Sequence, residues 1–227
     1  MSRIIGSYGP LLLAAMGQTL LLALYGLFFA CIIGMIVGIM SVLKSKPCRI
    51  ISLVFVNLIR GVPMIVLAYF VYFGVPYLFN TILKIGGGIT LTALQAGTIC
   101  LALNCGAYMA EIIRAGIESV DVGQMEAARS LGLPYWRSMQ RVILPQAIRT
   151  MIPSIINQFI ITLKDTSILS VIGFPELVNT AKNVVSKTFM SFQTWTIVGV
   201  MYLIVILILQ QAAKIIERRL KRGRRSI

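Results

Sequence analysis

The sequence predicts an all-α polytopic membrane protein, one transmembrane domain over residues 1–227 crossing the bilayer five times. Two observations carry this. Of 227 residues, 58% are hydrophobic and 12% charged, with a mean hydropathy of +0.89, outside the range of soluble domains. The apolar residues fall into five runs of spanning length, about 11–43, 50–77, 91–113, 146–163 and 194–213, separated by short polar stretches. The formal net charge of +14 sits beside these runs without interleaved aromatics, which fits anionic lipid headgroups and excludes a nucleic-acid surface.

The first run, 11–43, exceeds the roughly 20 residues a bilayer needs and is expected to tilt or protrude at Gly17, Gln18 and Thr19. It is too long, and its basic start too thin, for a cleaved signal. Gly34 and Gly38 form a small-xxx-small pair suited to close helix contact. Lys44, Lys46 and Arg49 then bracket Pro47 in a basic loop.

The second run, 50–77, carries Arg60 in the phrase IRGVP, where Gly61 and Pro63 loosen or kink the helix. An arginine at that depth must face protein or water, as an ion pair or in a solute path. A turn with Gly86, Gly87 and Gly88 leads to the third run, 91–113, where Ala102, Gly106 and Ala110 make a small-residue stripe and Asn104 is the strongly polar centre. Glu111, Arg114 and Glu118 at its end read as helix-surface ion pairs.

Residues 121–145, DVGQMEAARSLGLPYWRSMQRVILP, form the longest polar stretch. Asp121 can cap a first helix with Gln124 in the reciprocal position of a capping box. Met125, Ala128 and Leu131 share one face. Gly132 sits where a left-handed residue ends a helix, and Pro134 at the start of the next. The expectation is helix, elbow, helix.

The fourth run, 146–163, holds Asn157 and Gln158, and Lys164 and Asp165 close it. The apolar stretch 166–174 is too short to cross, so it is expected to be re-entrant or buried. Residues 176–188 place Leu177, Val178, Ala181, Val184 and Val185 on one side, an outer interfacial helix. The fifth run, 194–213, precedes a basic tail, 214–227, with seven Lys and Arg. Counting loops, fifteen basic residues fall on one side and five on the other, so the N-terminus is expected outside and the 121–145 stretch and tail in the cytoplasm. Four cysteines, no histidine and no CxxC predict small packing residues and no metal site.

Glu126, Ala127, Ala128, then Gly132, then Val142 with Leu144 and Pro145, resemble the EAA signature of ATP-binding cassette (ABC) importer permeases, with Val142 where isoleucine is usual. The runs GQTL (17–20), IRGVP (59–63), AEIIRAGI (110–117), LPQAI (144–148) and KDTSILSVIG (164–173) are similar to polar amino acid permeases of the histidine and glutamine uptake type. The resemblance implies the type I ABC importer fold, with 121–145 as the coupling region. Met125, Glu126, Ala127, Ala128, Arg129, Leu131 and Gly132 would couple to an ATPase, and Val142, Leu144 and Pro145 would form the junction to the next span. It also implies an ABC ATPase dimer that holds ATP and magnesium, a second permease copy or paralogue, an extracytoplasmic solute-binding protein, and a bacterial cytoplasmic membrane.

No GxxxxGK[ST] phosphate loop occurs, so the chain is not expected to be an enzyme and no cofactor is expected to bind it directly. For the solute path the mid-membrane polar residues are the candidates: Asn104 and Gln158, then Arg60, Lys164, Asp165 and Ser167. In related permeases for cationic amino acids the Gln158 position can be glutamate, so the neutral amide leans the substrate to a neutral polar amino acid such as glutamine or cystine. The alternatives are an ABC importer permease for a different small solute, or a secondary transporter, which would need ion-coupling carboxylates where only Glu111 and Asp165 stand near span ends.

Overall fold

The computed structural model describes residues 2–84 and 88–222, and among them every regular element is helical. Eight elements follow in order: α1 (Ser2–Val42), α2 (Lys46–Gly61), α3 (Met64–Ile82), α4 (Ala93–Glu118), α5 (Val122–Ser130), α6 (Tyr135–Ile172), α7 (Leu177–Thr188) and α8 (Ser191–Arg222). Among the described residues five stretches are long and apolar enough to cross a membrane: Ile4–Val42, Met64–Ile82, Ala93–Glu118, Tyr135–Ile172 and Ser191–Ile216. Gly86 and Gly87 of the expected turn, and Arg224 and Arg225 of the basic tail, lie outside the described residues.

The expected second run, 50–77, is not one helix. It divides at Val62 and Pro63, both extended, with Val62 at φ −106° and ψ 132°. Proline disfavours the α conformation for the residue before it and has no N–H to continue the ladder. The helix breaks outright, beyond the loosening or kink that Gly61 and Pro63 predict. At Pro76 and Pro145 proline is accommodated by widening the helix. Phe70–Gly74 ahead of Pro76 and Met139–Ile143 ahead of Pro145 are π turns, which shift the carbonyl that would meet the proline ring.

The spine is the α1–α4 pair, in contact along its length. Gly34 and Gly38 let α4 approach so closely that a Cβ at Gly34 would run into Met109, and one at Gly38 would lie 2.9 Å from Ile113. Gly106 serves α4 in the same way against Ile33. Small residues are what such close helix contact requires in a membrane, where lipid is as apolar as the helix.

Two buried clusters hold the other elements to this pair. Leu22, Ala96, Leu101 and Leu169 gather α1, α4 and the 3₁₀ end of α6, with Ala68 and Val71 of α3. Leu12, Met16, Leu177, Ala181 and Val198 join α1, α7 and α8. The apolar stretch after Asp165 is a 3₁₀ turn, Thr166–Ile172, closed by Gly173 at φ +78°. Cys100 and Cys105 are buried and all four cysteines are free thiols.

The amphipathic α7 buries Leu177, Ala181 and Val184, with Val178 and Val185 half-buried. Glu176 caps it, accepting from Val178 N–H at 2.8 Å and Asn179 N–H at 2.6 Å. This carboxylate is completely buried and also accepts from the Tyr202 hydroxyl at 3.3 Å. Burial pushes its pKa above the usual carboxylate range against these hydrogen bonds. Lys182 of α7 donates to the Ser170 hydroxyl of the 3₁₀ turn at 2.9 Å.

Candidate functional site: an elbow at one end and a polar cavity between the spans

The elbow forms as its residues dictate. Asp121 caps α5, but its carboxylate accepts from Gly123 N–H at 2.7 Å, and no capping box with Gln124 forms. The Gln124 side-chain oxygen is instead 3.5 Å from the Gln146 amide of α6. At the other end Gly132 adopts φ +84°. Leu133 N–H donates to Ala128 O at 3.2 Å and Gly132 N–H to Arg129 O at 3.0 Å, the paired bonds of a Schellman ending. Pro134 becomes the residue before the next helix, which begins at Tyr135.

Of the face expected on α5, Ala128 is buried, Met125 half-buried and Leu131 84% exposed. Glu126, Ala127 and Arg129 are also exposed. Val122 and Trp136 add exposed apolar surface, so this end presents a mixed, unpartnered surface. Val142 and Leu144, half-buried, and Pro145, exposed, lie where the π turn passes into the long part of α6. The α1–α2 loop braces the elbow through Lys44, whose ammonium sits 5.1 Å from the centre of the Tyr135 ring.

A cavity of about 540 Å³ opens between the α2–α3 break, α4 and α6. Arg60, Asn104, Gln158 and Asp165 line it, together with Met64, Tyr108, Ile161 and Ile168. The break explains why residues so distant in sequence meet here: the end of α2 at Gly61 and the unwound backbone at Val62 and Pro63 form one wall, and irregular backbone at membrane depth is tolerated where it lines a cavity. A second cavity of about 400 Å³ shares Arg60, Tyr108 and Gln158 and runs on past Glu111, Thr150 and Ser154.

Lys164 and Ser167 are not among the lining residues. Lys164 is exposed, and the Ser167 hydroxyl donates to its carbonyl at 2.7 Å. Asn104 has its amide 3.8 Å from the Met64 sulfur. Arg60 does two things: its guanidinium pairs with Glu111 at 3.2 Å and stacks over Tyr108 at 4.9 Å, while still lining the cavity. The sequence pairs Glu111 with Arg114, a bond that is present at 3.0 Å, but gives no sign of its second partner on α2.

Residues 26–222 match the family described as "Binding-protein-dependent transport system inner membrane component". The chain belongs to that family. It is the membrane-embedded permease component, not itself an enzyme. The glutamine transport system permease protein GlnP of Escherichia coli is 35% identical over 212 residues, covering 93% of this chain and 94% of GlnP. A probable glutamine ABC transporter permease protein, GlnM of Bacillus subtilis, is 36% identical and covers 91% of both chains. Among solved structures, an amino acid ABC transporter crystallised with histidines superposes with a TM-score of 0.86 at 35% identity, covering 95% of this chain and 96% of that one. The inward-facing MetNI methionine ABC transporter, at 20% identity and a TM-score of 0.74, shares the fold, that of type I ABC importers.

Proposed function

We propose that this chain is the permease of an ATP-driven importer for a polar amino acid with a neutral side chain, such as glutamine or cystine. The observation that carries the reading is the convergence of Arg60, Asn104, Gln158 and Asp165 on one cavity between broken and unbroken helices. A zwitterion needs a cation for its carboxylate and an anion for its ammonium, and Arg60 and Asp165 supply these. Asn104 and Gln158 each offer both a donor and an acceptor to a polar side chain. The glutamine systems named among the relatives support the same class.

The cavity opens on the surface of this chain, so a second permease, a copy or a paralogue, completes the path. The elbow docks in a cleft of a separate ATPase subunit, which holds ATP and magnesium. Its exposed Leu131, Val122 and Trp136 are the apolar part of that contact. An extracytoplasmic binding protein delivers the solute to the end away from the elbow. The elbow end faces the cytoplasm of a bacterial inner membrane, as the basic loops favour.

The test is ATPase activity of the purified complex in lipid with its own binding protein. Stimulation by glutamine or another neutral amino acid is expected, and stimulation by arginine or lysine alone overturns the substrate reading. Glu126→Lys separates coupling from insertion. The variant is expected to reach the membrane without retaining the ATPase, and undiminished ATPase association would rule out the docking role.

A further inference from the structure

A third cavity, of about 370 Å³, lies outside the proposed solute path, at the elbow end between α1, α2 and α4. Its rim carries Lys46 and Arg49 on the first turn of α2, and its wall carries Ile50, Leu53 and Val56. Arg114 lies across it, held by Glu111 at 3.0 Å and Glu118 at 3.1 Å. Arg60 takes a further share of Glu111. The two carboxylates are therefore matched by Arg114 and Arg60. Lys46 and Arg49 form no ion pair among the described residues.

The start of α2 strengthens this excess of positive charge. Ser45 makes no side-chain cap, so the helix dipole and the uncapped first-turn N–H groups, to which Pro47 adds none, face the same end as the two cations. The chemistry changes one turn further on. Ile50 and Leu53 are 59% and 60% exposed, and the apolar strip continues down α2 through Val54 and Leu58. The site is cationic at its mouth and hydrocarbon along its wall. A soluble phosphate would leave that wall facing water, whereas a phosphodiester attached to acyl chains satisfies both halves.

We propose that this groove binds one anionic phospholipid of the leaflet at the elbow end, its phosphate between Lys46 and Arg49 and an acyl chain along Ile50 and Leu53. The assignment stands independently of which solute the permease carries.

The experiment is titration of the purified full-length chain, with any subunits that accompany it, in detergent with short-chain phosphatidylglycerol. Binding is read as a rise in melting temperature and as bound lipid in native mass spectrometry. Saturable binding is expected, weakened about thirtyfold in the Lys46→Gln, Arg49→Gln double variant. Arg49→Lys, which keeps the charge, is expected to retain it and shows that the site tolerates substitution. Lys84→Gln with Lys187→Gln removes as much charge elsewhere and is expected to leave binding intact. The proposal is overturned by an equal loss in that control pair, by equal binding of phosphatidylcholine, by equal binding of glycerophosphoglycerol without chains, or by no saturable binding.

Discussion

Arg60 and Glu111 stand 51 residues apart in sequence, yet the guanidinium of one lies 3.2 Å from the carboxylate of the other, at the junction of the two polar cavities. Both side chains remain about a third exposed. The pair therefore contributes little to stability and much to where the Arg60 charge points.

Glu111→Gln is expected to change thermal stability by less than about 1 kcal/mol while slowing solute uptake roughly tenfold by releasing Arg60 from its direction. Melting temperature and uptake by the reconstituted complex read the two effects apart. A large drop in melting temperature with normal uptake would make the pair structural.

The α1–α4 contact predicts opposite outcomes for two glycines on one helix. Gly34→Leu places atoms where Met109 already sits, and should destabilise by about 1–3 kcal/mol. Gly17→Ala meets nothing within 4 Å and should stay within about 0.5 kcal/mol. Unfolding in mild detergent distinguishes them.

Gly132→Val forces a β-branched residue into φ +84°, at a local cost of roughly 1–3 kcal/mol. Because the strain falls on the elbow alone, membrane insertion should persist while co-purification of the ATPase falls. Gly132→Asn, which tolerates the left-handed region, should recover most of it.

Glu176 predicts a pH dependence. Burial raises its folded-state pKa, so the folded chain holds this proton more tightly than the unfolded one. That contribution is greatest below the unfolded carboxylate pKa and is lost as pH rises through the folded value. Glu176→Gln should flatten the slope of melting temperature against pH in that window. Glu176→Ala should cost about 1–3 kcal/mol at every pH by leaving the half-buried N–H groups of Val178 and Asn179 without their cap.

Composition made the helical membrane class legible, and spacing made the elbow so, because Gly132 and Pro134 act on the backbone within a few residues of themselves. Small-residue spacing likewise marked Gly34, Gly38 and Gly106 as contact points. Long-range polar pairing was not legible. Glu111 looks like a surface residue because its i+3 partner is visible and its partner on α2 is not. Lys164 and Ser167 stand out in the sequence by depth alone, and depth does not say which way a helix face turns. Tyr108 and Met64 joined the cavity without a sequence signal, since an aromatic and a thioether within an apolar run look like ordinary core. The Thr92–Gln95 capping box at the start of α4 is not legible because the apolar run continues through it.

The glycine contacts between α1 and α4 also constrain how this chain can move. Two helices locked glycine against side chain, Gly34 on Met109 and Gly106 on Ile33, cannot slide or part without emptying that contact, so they behave as a single beam. Any alternation of access falls more easily on the less extensive seam between α4 and α6, beside which both polar cavities open.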